Sequence, residues 1–138
     1  MSYDKTPDLY DGFGQFDWGA AADEQFVIEG PKGKAGILVD YGMLAATEVF
    51  SGSTVTPKIA VGTSTDPDAY GEELDLDAAA VNTSKSVLTE NQVGSTGYDA
   101  LMVNRNIPAD TPVYITCTGA TGSPTGIGTP FVKIIWQD

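Results

Sequence analysis

Beyond about residue 25, apolar and polar residues alternate along much of the chain with the period of two that marks half-buried β-strands. The clearest run covers 37–50. Ile37, Val39, Tyr41, Met43, Ala45 and Val49 fall on one face, and Asp40, Gly42, Ala46 and Glu48 on the other. Gly42 in mid-run predicts a bulge or bend. A shorter strand over 25–29 precedes it, closed by the turn cluster Gly30, Pro31, Lys32 and Gly33. Residues 51–56 predict a turn and 57–61 the next strand, with Ile59 and Val61 pointing the same way. The stretch 62–77, GTSTDPDAYGEELDLD, carries two turn signals and six acids. It predicts a long surface loop with a short strand at 74–76. Val81, 86–88 and 100–103 are weaker strand segments, with a polar turn at 89–97 between the last two.

Clear alternation returns near the C-terminus. Val113, Ile115 and Cys117 oppose Tyr114, Thr116 and Thr118, and the glycine-rich connection 119–129 predicts a hairpin to a returning strand at 130–136. That strand is apolar on both faces, with Phe131 and Ile135 on one and Val132, Ile134 and Trp136 on the other. Such a strand predicts cover over its outer face from an arm, a loop or another subunit. Seven or eight short strands separated by turns predict an all-β fold, an antiparallel β-sandwich or jelly roll. Helix is expected, if anywhere, in the acidic loop.

Residues 1–24 break the pattern. Five of the thirteen aromatic residues, Tyr3, Tyr10, Phe13, Phe16 and Trp18, sit in the first eighteen positions among aspartates and glycines, with no sustained period. Gly12, Gly14, Gly19 and the alanines at 20–22 predict a pliable segment. The expected organisation is an extended N-terminal arm over 1–24 and a β-sandwich domain over 25–138. Tyr10, Phe13, Phe16 and Trp18 are the candidate partner-binding residues. The competing reading folds Phe13, Phe16 and Trp18 back onto their own sandwich.

Composition narrows the chemistry. The formal charge is −12, from 7 basic and 19 acidic residues, and it opposes a phosphate backbone, so no nucleic-acid partner is expected. No apolar run reaches bilayer length and the start lacks the pattern of a signal peptide, so no membrane partner and synthesis in a cytoplasm are expected. The chain has no histidine, which removes Ser-His and Cys-His nucleophile activation and imidazole-ligated metals. No enzymatic activity, cofactor or metal is expected. Asp66, Asp68, Glu72, Glu73, Asp75 and Asp77 supply hard oxygen atoms, but their spacing fits no EF-hand, and a solvated acidic face accounts for them. Cys117, the single cysteine, reads as core.

Three segments in order, GKAGILVDYGMLAATEVF, PKIAVGTSTDPDAYGE and IPADTPVYITCTGATGSPTGIGTPFVKIIW, resemble the small jelly-roll decoration, or cement, proteins of tailed-bacteriophage capsids. The resemblance spans residues 33–136. It implies a structural protein of the virion, often trimeric, that sits on the capsid exterior, binds the major capsid protein and stabilises the expanded shell. Arms in that family reach the capsid, which would make Tyr10, Phe13, Phe16 and Trp18 capsid contacts. A homotrimer would account for Val132, Ile134 and Trp136 as an oligomer interface. The alternative is a carbohydrate- or receptor-binding head of a phage fibre or adhesin, with Trp18 and Tyr70 as stacking platforms and the acidic loop beside them. A calcium-dependent adhesin module is a third reading.

Overall fold

The computed structural model describes residues 6–19, 23–51, 56–118 and 125–137. Tyr3, the alanines at 20–22, and most of the expected turns at 51–56 and 119–129 lie outside them. The protein is all-β, 49% strand and 8% helix, with antiparallel sheets curled into a half-barrel.

The strands are β1 (Asp8–Tyr10), β2 (Phe16–Asp17), β3 (Glu24–Ile28), β4 (Gly36–Ser51), β5 (Lys58–Gly62), β6 (Gly71–Asp75), β7 (Lys85–Ser86), β8 (Asn106–Ile107), β9 (Val113–Thr118) and β10 (Thr125–Trp136). Two short helices, α1 (Val87–Glu90) and α2 (Thr96–Leu101), lie between β7 and β8. One sheet runs β1-β10-β4-β7, with β2 also on β10 and β8 also on β4; the other runs β3-β9-β5-β6. Side chains from both sheets enter one hydrophobic cluster.

The long pair β4–β10 is the backbone of the first sheet, and it departs from strict alternation. Asp40 pairs with Lys133 and Leu38 with Ile134, so one extra residue bulges from β4 there; further register shifts follow between Leu44 and Ser51. Along β4 these irregularities exchange the inward and outward faces twice, between Leu38 and Tyr41 and between Met43 and Ala46. Leu38, Tyr41, Met43, Ala46 and Phe50 therefore enter the core, whereas Val49 is 49% exposed. Ala45, expected inside, takes a left-handed φ of 53° and is exposed. Gly42 is not the site of a bulge. A Cβ there would stand 2.2 Å from the carbonyl oxygen of Lys85, so glycine lets β7 approach β4 closely.

The expected hairpin between the last two strands does not form. β9 lies between β3 and β5 in one sheet, and β10 pairs with β1, β2 and β4 in the other, so the chain changes sheets between them. The residues expected as strands at 86–88 and 100–103 are largely helical. Ser86 caps α1, accepting from the Thr89 N–H while its own N–H donates to the Thr89 hydroxyl. Ser95 caps α2 by accepting from the Tyr98 N–H, and α2 buries Tyr98. Short apolar runs fit either state, and the capping serines decide here. The acidic stretch holds no helix. It is a β-hairpin, β5 to β6, tightened by the Thr63 and Asp66 turn bonds.

The largest correction concerns the arm. β1 pairs with β10 in the register Asp8↔Ile134 to Tyr10↔Val132, and β2 pairs with the start of β10 through Phe16↔Gly128. Trp18 is wholly buried. Its backbone N–H donates to the Gly126 carbonyl at 2.8 Å, its indole Nε1–H donates to the Lys58 carbonyl at 2.9 Å, and its ring lies 5.2 Å from Phe50. One residue thus ties β10 to β5, across the two sheets. Phe16 packs edge-on against it at 4.7 Å. Gly126, with φ 145°, is required at this junction, since a Cβ would meet the Phe50 ring at 2.4 Å.

Asp40 joins α1 to β4 on the outer side. Its Oδ1 accepts from the Tyr41 and Leu88 N–H groups at 2.9 and 3.1 Å. Burial pushes its carboxyl above the ordinary range, against the lowering effects of Leu88, Ser86, Tyr41 and Lys133.

Two outcomes follow. Trp18→Ala should lower unfolding free energy by about 3–5 kcal/mol in urea titrations, the usual result of emptying a large buried ring site; a loss under about 1 kcal/mol would contradict the clasp. Asp40, with a folded pKa above the unfolded 3.8, binds its proton more tightly when folded. Its ionisation therefore opposes folding at neutral pH, and the penalty fades as pH falls through the folded pKa toward 3.8. Asp40→Asn retains the Oδ1 acceptor, so its stability relative to wild type should rise as pH goes from about 4 to 7. A flat or falling difference would reverse that sign.

Candidate docking surface

The four aromatic residues proposed from the sequence as partner contacts separate into two groups. Phe16 and Trp18 are 6% and 0% exposed and belong to the core. They cannot contact a capsid or any other partner while the fold is intact, because their own sandwich buries their apolar surface. Tyr10 and Phe13 are partly buried against the same cluster and reach the surface. The Tyr10 hydroxyl accepts from Trp136 Nε1–H at 2.7 Å, and the Phe13 ring lies 5.0 Å from Phe26.

The proposed oligomer interface is also internal. Val132, Ile134 and Trp136 are 0%, 0% and 8% exposed and face between the sheets. The side of β10 they occupy is the core side. The opposite side carries Phe131, itself buried, with the Lys133 ammonium 6.0 Å above its ring. Trp18 and Tyr70, the platforms of the sugar-binding alternative, are both buried, Tyr70 at 5%. Neither offers a free ring face to a sugar.

The acidic hairpin carries a chain of interacting carboxyl groups. Hydrogen bonding to Asp68 pushes the carboxyls of Asp66 and Glu72 upward, and Asp68 is lowered by bonds to Glu72 and then Asp66. Among the described residues no group of three or more Asp, Glu, Cys or His side chains is placed to hold a metal ion. Cys117 is buried on β9, where burial pushes its thiol well above the ordinary range. Every buried side-chain nitrogen and oxygen among the described residues has a hydrogen-bond partner.

The open feature lies where the arm returns to the body. Among the described residues, β1 closes one end of its sheet and β3 closes one end of the other, each paired on a single side. Between them runs a cleft of about 520 Å³ lined by Leu9, Tyr10, Phe13, Val27, Ile28 and Glu29 among others. Phe13, from the turn between β1 and β2, rests on Phe26 of β3 and sets the two edges apart. Leu9 and Val27 stand half exposed, at 46% and 51%. A second, smaller pocket of about 220 Å³ adjoins it at Glu29 and is lined by Lys32, Lys34, Asp110, Thr111, Pro112 and Trp136 among others.

Of the four aromatic residues expected as partner contacts, only Tyr10 and Phe13 remain at the surface. Period alone does not show which member of an edge strand faces out. Phe26, Val27 and Ile28 are all apolar, so no alternation in the sequence marks Val27 as the outward one. No family model matches the chain, and neither the curated proteins nor the solved structures contain a significant match.

Proposed function

We propose that this is a structural virion protein that decorates the outer surface of a phage capsid and stabilises it by bridging major capsid protein subunits. The observation that carries the reading is the correspondence between the family-like segments and the strands that form both sheets. GKAGILVDYGMLAATEVF contains β4 up to Phe50, PKIAVGTSTDPDAYGE contains β5 and the turn into β6, and the closing segment contains β9 and β10. The resemblance therefore follows the framework of the fold rather than one loop. A jelly-roll topology and a homotrimer belong to the same proposal and rest on the resemblance.

Physical support comes from the form of the body. Two-layer packing with satisfied polar groups and an anchored N-terminal segment suits a load-bearing tile, since little of its described interior must rearrange on binding. A contact of about 1,600 Å² in total, repeated over a shell, would add stability against internal pressure without any chemical step. The acidic surface would favour neutral or basic patches on the coat protein. With Phe16, Trp18, Val132, Ile134 and Trp136 inside, docking and trimer contacts must use other residues. The sugar-binding head would lack both of its aromatic platforms, since Trp18 and Tyr70 are buried.

Co-sedimentation with empty, expanded shells assembled from the coat protein of the same phage tests the proposal. Saturable binding at a fixed ratio to coat subunits, with shells that resist a higher temperature, is the expected result. Absence of binding to expanded shells at micromolar protein would overturn it.

A further inference from the structure

We propose that the free edge of β3 accepts an extended, basic segment of a partner protein as an added β-strand, seated in the cleft between β3 and β1. The inference deepens the docking role above by naming its surface and the chemistry of its partner.

The backbone makes the case first. β3 pairs through all five residues with β9, from Glu24↔Cys117 to Ile28↔Val113, and no described residue pairs along its other side. An edge of this kind presents unpaired N–H and C=O groups in strand spacing, ready to bond another extended chain. β1 is an edge as well, but it is three residues long, so β3 offers the longer ladder. The cleft gives an incoming strand room. Its alternate side chains would face Phe13 and Leu9 on one side and stand beside Val27 on the other.

Side chains select the occupant. From Thr6 to Pro31 the sequence contains six acids, Asp8, Asp11, Asp17, Asp23, Glu24 and Glu29, and no lysine or arginine. All six are exposed. Lys32 and Lys34 line the smaller pocket that adjoins the cleft at Glu29, and Lys133 stands opposite Leu9 on β10, so the cations lie at the two margins of the cleft. A second copy of this chain would bring the same acids to the same edge and be repelled, which is how natural sheets guard edges against self-pairing. A strand that alternates Lys or Arg with an apolar residue meets the opposite condition. Its cations face Asp11 and Glu29, the acids that line the cleft, and its apolar positions cover Leu9, Phe13 and Val27.

The test uses the full chain labelled with ¹⁵N and three seven-residue peptides. The first alternates Lys with Val, the second has the same sequence with alternate backbone nitrogens methylated, and the third carries Glu in place of Lys. Strand addition predicts saturable amide shifts confined to Glu24–Ile28 and the β1 side of the cleft with the first peptide. The methylated and acidic peptides should each bind at least about tenfold more weakly, a 1.4 kcal/mol difference. Val27→Arg, at a half-exposed position, should keep the melting temperature and weaken the first peptide by a similar factor.

Equal binding of the methylated peptide would overturn strand pairing, and equal binding of the acidic peptide would overturn the charge selection. Shifts centred on the Asp66 to Glu72 hairpin, or no binding in the millimolar range, would overturn the site. The assay contains no capsid shells, so its outcome is independent of the capsid reading. Shell binding without peptide binding would move docking to another surface, and peptide binding without shell binding would leave the strand-accepting edge and remove the capsid role.

Discussion

The clasp made by Trp18 is the constraint on which the rest of the molecule depends. Its amide is bonded to Gly126 at the start of β10, its indole N–H to Lys58 at the start of β5, and its ring lies against Phe50 at the end of β4. Three strands from two sheets meet on one residue that precedes the first strand of the second sheet. Burying so large a ring contributes about 2–3 kcal/mol by area, and both bonds are made away from bulk water, where an unpaired donor would be costly. Gly126 keeps the φ of 145° that lets Phe50 close on the junction. The aromatic-rich N-terminal segment is therefore a structural closure of the sandwich.

That closure determines which surface is left for function. By entering the core, Phe16 and Trp18 draw the preceding turn down until Phe13 rests on Phe26, and β1 lies along β10. The first sheet gains an edge at β1 directly across from the edge of the second at β3, with the cleft between them. A rigid floor under a partner strand lowers the entropic cost of binding relative to an arm that must order itself. In the proposed docking mode, the acids spaced along the same segment keep a second copy off this edge and attract a basic strand.

The framework was legible in the sequence because alternation is a local property. The strands at β3, β4, β5, β9 and β10 lie close to where period and turn residues place them, and the all-β antiparallel class follows from their number. Inward and outward faces were less legible. On β4 the bulges reverse the pattern, so Leu38 and Phe50 are inside while Ala45 and Val49 are outside, and no single residue announces the reversal. The serines at 86 and 95 did carry a signal for α1 and α2, as side-chain acceptors placed three residues before a free N–H. The change of sheet between β9 and β10 was hidden, because glycine-rich connections suit a hairpin and a crossover alike. For the candidate site, the aromatic segment stood out for its composition, but composition cannot distinguish a ring that binds a partner from one that closes its own fold. Only the pairing partners of β1 and β2 decide that, and they lie more than a hundred residues away in sequence.

Native-state hydrogen exchange on the unmodified protein tests the clasp most directly. If Trp18 closes the sandwich, its backbone amide and indole N–H exchange only when the whole molecule unfolds, with the same free energy and denaturant dependence as Ile115 in the centre of β9. Exchange of the Trp18 protons through a low-energy opening, while Ile115 stays protected by the full unfolding free energy, would contradict the account and return the aromatic segment to the role of a detachable arm.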